Sequence, residues 1–169
     1  MVDRTDFHLV YEGPPPLFMG ELPRDYADVP ASIVVNLCGV HPDIVPLGTT
    51  VLTFTMLDTP EEALLPTRQD LERFLSTVRH LADDRPTYWH CHAGLNRSGF
   101  AVVAYMHLHL GLPVSQAIES LRQRRSAMVL CNPTFEKALR TWYGREDEQE
   151  FVPIDLQTWL RERLGRVGA

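Results

Sequence analysis

The chain lacks any stretch approaching the ~20 consecutive uncharged apolar residues that a membrane span requires. Its first residues, Met1 followed by "VDRTDFH", also lack the basic start and apolar core of a secretory signal. The expected location is therefore cytoplasmic, with no membrane contact. Lysine is nearly absent: Lys137 is the single lysine among 16 basic residues, a bias that reflects genome composition more readily than function. Positive charge is in deficit as a whole, and a net charge of −6 makes the surface repel phosphate backbones, so nucleic acid is an unlikely partner. Cysteine is scarce and scattered, with Cys38, Cys91 and Cys131 forming no C-x-x-C pair, which argues against a structural zinc site and against a disulfide framework. His107 and His109 stand two apart on an expected helix and so face different sides, and neither a metal nor any other cofactor is expected. There are no internal repeats and no low-complexity tracts.

A chain of 169 residues with 44% hydrophobic and 22% charged content suits one well-packed domain. Residues 1–16 end in "GPPP", which cannot continue a helix or a central strand, and they read as an extended lead-in to a fold that begins near Leu17. "LFMG" has the look of a short edge strand. "SIVVNLC" (Ser32 to Cys38) and "VLTFTM" (Val51 to Met56) are β-branched runs of strand length and read as buried strands, and "TYWH" (Thr87 to His90) reads as a short strand. Thr67 precedes a helical pattern reaching about Ala82, with Leu71, Phe74, Leu75, Val78 and Leu81 on one face. Ser98 to Leu110 is apolar nearly all round, as befits a helix at the centre of a fold, and it is stopped by Gly111 and Pro113. Further helices are expected near 114–125 and 133–143. An acidic connector, "REDEQE", then leads to a last helix at about 155–164. This alternation predicts an α/β fold with a mostly parallel central sheet flanked by helices. The main domain is expected to span 17–144, with 145–169 packed on it as a connector and helix.

The chemistry concentrates in "YWHCHAGLNRSG", residues 88–99. A loop running from a strand into a helix N-terminus gathers backbone N–H groups and the positive end of the helix dipole at one point, which favours a bound anion. The same field favours the thiolate of a cysteine placed at the start of that loop, and so makes Cys91 a candidate nucleophile. Gly94 lets the backbone curl tightly. Arg97, six positions after Cys91, carries a planar fork suited to two oxygens of a phosphoryl group, and Ser98 can hydrogen-bond the sulfur. His92, Ala93, Gly94, Leu95 and Asn96 would form the wall of the phosphate loop, with His92 pointing outward towards substrate.

"HCHAGLNRSG" resembles the H-C-x5-R-S/T signature of the cysteine-dependent protein phosphatases. The likeness runs from about Leu17 to Leu139: "PPLFMGELP" resembles the entry segment of the compact, atypical dual-specificity branch, "SIVVNLC" its strand before the first crossover, and "NPTFEKAL" its closing helix. There is no room for the deep phosphotyrosine-recognition loop of the longer, tyrosine-specific domains.

This resemblance implies hydrolysis of phosphotyrosine and other phosphomonoesters, on a protein or a small molecule, through a phosphocysteine on Cys91. An upstream aspartate would act as general acid and then as general base. Asp58, 33 residues before Cys91, stands where the family places that group, with Glu61 and Glu62 as competitors. His90 would support the loop from below. Cys38 would lie near Cys91 if its strand neighbours "TYWH", and the tensin-type phosphatases, similar in "NLC", protect their nucleophile through such a partner; Cys131 is the weaker candidate. Two alternatives stand beside this reading. An RNA 5′-triphosphatase or other polyphosphate-end hydrolase would suit "GLNRSG" but not the acidic charge, and a phospho-binding pseudophosphatase would usually have lost Cys91, Arg97 or the acid. Phosphoinositide specialists typically carry lysines in this loop, and here it has none.

Overall fold

The structure is a computed structural model that describes residues 5–144. Five strands and four helices follow one another as β1 (Phe7–Tyr11), β2 (Leu17–Gly20), β3 (Ile33–Asn36), β4 (Thr50–Thr53), α1 (Arg68–Ala82), β5 (Thr87–His90), α2 (Arg97–Leu110), α3 (Val114–Arg124) and α4 (Pro133–Tyr143). The strands form one sheet in the order β1-β2-β5-β3-β4. All neighbours are parallel except β1 and β2, so the mostly parallel sheet is as expected.

The two faces of the sheet are set by the period of two along each strand. Leu17, Met19, Val35 and Trp89 point to the side where α1, α2, α3 and α4 pile up, and they share one large core with Leu75, Phe100, Leu121 and Leu139. Phe18, Val34 and Tyr88 point the other way, under Tyr26 and Val29 of a loop that contains a single 3-10 turn. Helix α2 is the centre of the large core, with every residue from Phe100 to Met106 wholly buried. Its apolar character on all sides, visible in the sequence, is what allows α1, α3 and α4 to pack around it. The helices are bounded as their sequences dictate: Thr67 accepts from the Asp70 N–H at the start of α1, Asn132 from the Thr134 N–H at the start of α4, and Gly111 closes α2 with φ of +72°.

Three expectations change. The chain before Leu17 is not a bare lead-in, because Phe7–Tyr11 pairs antiparallel with β2 after "GPPP" reverses the direction. In consequence "LFMG" is an interior strand, with β1 on one side and β5 on the other. "VLTFTM" contributes only β4, which lies at the free edge and is half exposed rather than buried. A β-branched run looks alike at the edge and at the centre, and only the non-local pairing order distinguishes them. The expected connector and helix over 145–169 lie outside the described residues.

Candidate active site

Strands β3 and β5 pair in register with Asn36 opposite His90, so the next residues of both strands emerge at the same sheet edge. Cys91 follows β5 there, at 2% exposure, and the loop 91–96 turns directly into α2. Gly94 makes this turn with φ of +65°, and its α-carbon passes so close to β2 that a methyl group on it would meet the Gly20 carbonyl oxygen at 2.1 Å. Gly94 therefore lets the loop sit against the strand, and the His92 carbonyl fixes the approach by accepting from the Leu22 N–H at 3.0 Å. Gly94→Ala is expected to destabilise the protein by about 1–2 kcal/mol from the left-handed backbone alone, with the clash against backbone adding to it. A urea melt checks this, and an unchanged midpoint would contradict the tight fit.

The loop carbonyls that point away from the sulfur are also held. Arg125, its side chain 4% exposed, donates from Nε to the Gly94 carbonyl and from Nη2 to the Ala93 carbonyl, both at 3.3 Å. Its Nη1 pairs with Asp6 at 2.6 Å and lies 3.0 Å from His8 Nδ1. With carbonyls engaged outside, the N–H groups of the loop are left to face inward, where an anion would sit.

Around Cys91, burial works against ionisation of the thiol. The Ser98 hydroxyl at 3.4 Å, the N–H groups of Ser98 and Leu95 and the charge of Arg97 outweigh it, and the thiol pKa falls below its ordinary value. The Nε of Arg97 is buried and has no hydrogen-bond partner among the described residues. His92 and Ala93 are exposed at the mouth, Leu95 and Asn96 half-buried, and Gly94 and Ser98 buried.

Behind the cysteine a buried relay holds the loop. His90 is wholly buried, and desolvation holds its pKa down to about 4, so the ring is neutral at physiological pH. Its Nδ1 lies 3.3 Å from the Cys91 carbonyl, which can only accept, so Nδ1 carries the proton. Nε2 is then an acceptor for the Tyr26 hydroxyl at 3.0 Å; burial pushes the Tyr26 pKa up to about 12 and keeps its proton on. Asn36 completes the relay, donating to the Tyr26 oxygen at 3.4 Å. The sequence pointed to His90, whereas Asn36 stood out only as part of the strand run "SIVVNLC" and Tyr26 not at all.

Asp58 sits at the rim, both carboxylate oxygens engaged: Oδ2 accepts from Asn96 Nδ2 at 3.0 Å and Oδ1 from Asn132 Nδ2 at 2.9 Å. Of the acidic candidates, Asp58 is the one bonded to the loop; Glu62 faces Lys137 at 3.4 Å, and Glu61 is exposed. Asn132 escaped the sequence reading except as part of a helix start. Cys38 is buried on the same sheet edge as Cys91, and its thiol hydrogen-bonds Asn36 Oδ1 at 3.4 Å and the Val40 carbonyl at 4.0 Å. The Cys131 thiol instead donates to Asn96 at 3.5 Å. Among the described residues no group of His, Cys, Asp and Glu could hold a metal ion, and no helix is long and apolar enough to cross a membrane.

A parallel sheet feeding a cysteine loop into a buried helix is the arrangement of the dual-specificity phosphatases, and solved structures of that fold superpose on this one. Human DUSP28 matches with a TM-score of 0.64 and 21% identity, over 82% of this chain and 93% of that one. The human tyrosine phosphatase-like serine/threonine/tyrosine-interacting protein matches with a TM-score of 0.64 and 17% identity, over 81% and 95%. Dual specificity protein phosphatase 22 of Xenopus tropicalis is 27% identical over 157 residues, 89% of this chain and 70% of that protein. Residues 32–145 match the family described as "Dual specificity phosphatase, catalytic domain", and the chain belongs to it. It is a protein phosphatase of the compact, atypical kind.

Proposed function

We propose that this phosphatase hydrolyses phosphomonoesters, phosphotyrosine first among them, in two displacements at Cys91. The observation that supports it is the buried Cys91 sulfur at the start of the loop into α2, with the Ser98 hydroxyl at 3.4 Å and the N–H groups of Leu95 and Ser98 and the Arg97 charge favouring its thiolate. The thiolate attacks phosphorus as the bond from phosphorus to the leaving oxygen breaks, and Asp58 gives that oxygen its proton. Water then attacks the phosphocysteine, Asp58 takes its proton, and phosphate leaves as the thiolate is regenerated. The Arg97 fork, with its free Nε–H, binds two equatorial oxygens, and those charges grow in the transition state. Ser98 steadies the sulfur as it departs.

A cleft of about 430 Å³ flanks the loop beside Ala93 and Leu95, and its lining mixes Asp6, already paired with Arg125, with Glu21 and His8. The proposal includes a reducing compartment such as the cytoplasm, since a nucleophilic thiolate must stay reduced and all three cysteines are unpaired.

Asp58→Asn tests the acid. Turnover of alkyl and unactivated aryl phosphates should fall by about a hundredfold or more, while p-nitrophenyl phosphate, whose leaving group needs little protonation, slows much less. If Glu61→Gln or Glu62→Gln gives this pattern and Asp58→Asn does not, another carboxylate is the acid.

A further inference from the structure

The geometry points to Asn96 and Asn132 as a two-sided amide clamp that positions the Asp58 carboxyl over the nucleophile loop. This inference rests on the role of Asp58 as general acid.

Neither amide is free to turn round. Asn96 Oδ1 accepts from the Asn132 backbone N–H at 3.0 Å, and a backbone N–H can only donate, so Nδ2 is the end that faces Asp58. The thiol of Cys131, its pKa raised by burial and hence protonated, donates to the same oxygen and reinforces that orientation. Asn132 Oδ1 accepts from the Thr134 N–H at 3.2 Å as the cap of α4, so its Nδ2 likewise faces Asp58 Oδ1, and it reaches the Thr59 carbonyl at 2.9 Å as well. Each clamp residue thus spends its oxygen on fixed backbone and its NH2 on the acid.

The two arms stand on different supports. Asn96 is the residue before α2, at the end of the nucleophile loop, and its side chain caps nothing in its own helix. Asn132 opens α4, where Thr134 Oγ1 also donates to the Pro60 carbonyl at 3.1 Å. The segment carrying Asp58 is therefore docked on α4 by several bonds, and the carboxyl is tied to the loop by one. An acid works only within hydrogen-bond reach of the leaving oxygen, and a misplacement of about 1 Å can cost a hundredfold. Asn96 and Asn132 are positioning residues on this view: their side chains touch the acid and leave the phosphoryl group to the loop backbone and Arg97.

Asn132→Ser is the discriminating variant, since serine retains an oxygen to cap α4 but cannot reach Asp58 with a donor. Its melting temperature is measured alongside kcat for a series of aryl phosphates of graded leaving-group pKa. The expected result is a near-wild-type melt together with a steeper leaving-group dependence, the poorest leaving groups slowing about tenfold or more relative to the activated ones. Asn132→Gln, which returns an amide on a longer stem, should recover part of that loss. In an Asp58→Asn background, Asn132→Ser should add no further leaving-group sensitivity. Equal slowing of all substrates, or the same extra sensitivity in the Asp58→Asn background, would overturn the clamp while leaving the acid in place. An Asp58→Asn enzyme with wild-type leaving-group dependence would instead remove the acid assignment, and the clamp with it.

Discussion

Replacing Cys91 by serine is expected to lower turnover of p-nitrophenyl phosphate by about four orders of magnitude or more, with little change in fold. The reason lies in what the loop does to the group it surrounds. The Ser98 hydroxyl, the N–H groups of Ser98 and Leu95 and the Arg97 charge overcome the burial of Cys91 and favour its thiolate. A serine hydroxyl in the same place starts from a far higher pKa, and that field is too weak to ionise it at neutral pH. The N–H groups that would hold the phosphoryl oxygens belong to the backbone and survive the change, so the variant should still bind vanadate or inorganic phosphate. Steady-state kinetics and isothermal titration read the two halves separately. A variant retaining a tenth of the wild-type rate would mean that the sulfur is not the nucleophile.

Arg97→Lys should be nearly as damaging, with kcat falling on the order of a hundredfold to a thousandfold. Charge is conserved, so a purely electrostatic role would predict a mild effect. The guanidinium, however, offers parallel donors in a plane, and its Nε–H is buried with no other partner among the described residues. An ammonium reaches one oxygen at a time and leaves the second uncompensated as charge builds on it. Arg97 also begins α2, where lysine is an equally good helix former, so stability should be nearly unaffected. The check is kcat against KM for one aryl phosphate: a change confined to KM would place Arg97 in ground-state binding only.

The parts of this protein legible in its sequence are those whose physics is local. "IVVN" and "TYWH" are short apolar runs with firm ends, α2 is apolar on all sides, and the cysteine loop carries its glycine, arginine and serine within eight residues. What escaped depends on pairing across distance. Phe7–Tyr11 buries only Val10 fully, so nothing in its own pattern announces a strand, and its place is granted by β2. Asp58, Asn96 and Asn132 are separated by 38 and 36 positions along the chain. Each alone reads as a turn or cap residue, and only the packing of α4 beside the loop makes them one unit. Tyr26 behind His90 escaped for the same reason, being 64 positions away.

Arg125 gives the first strand an unexpected standing. One guanidinium grips Asp6 just before β1 on one side and the carbonyls of Ala93 and Gly94 on the other. The residue that leads into the amino-terminal strand is thus joined, through one largely buried side chain, to two carbonyls of the loop that carries Cys91. A segment that looks peripheral in the sequence shares its anchor with the catalytic loop.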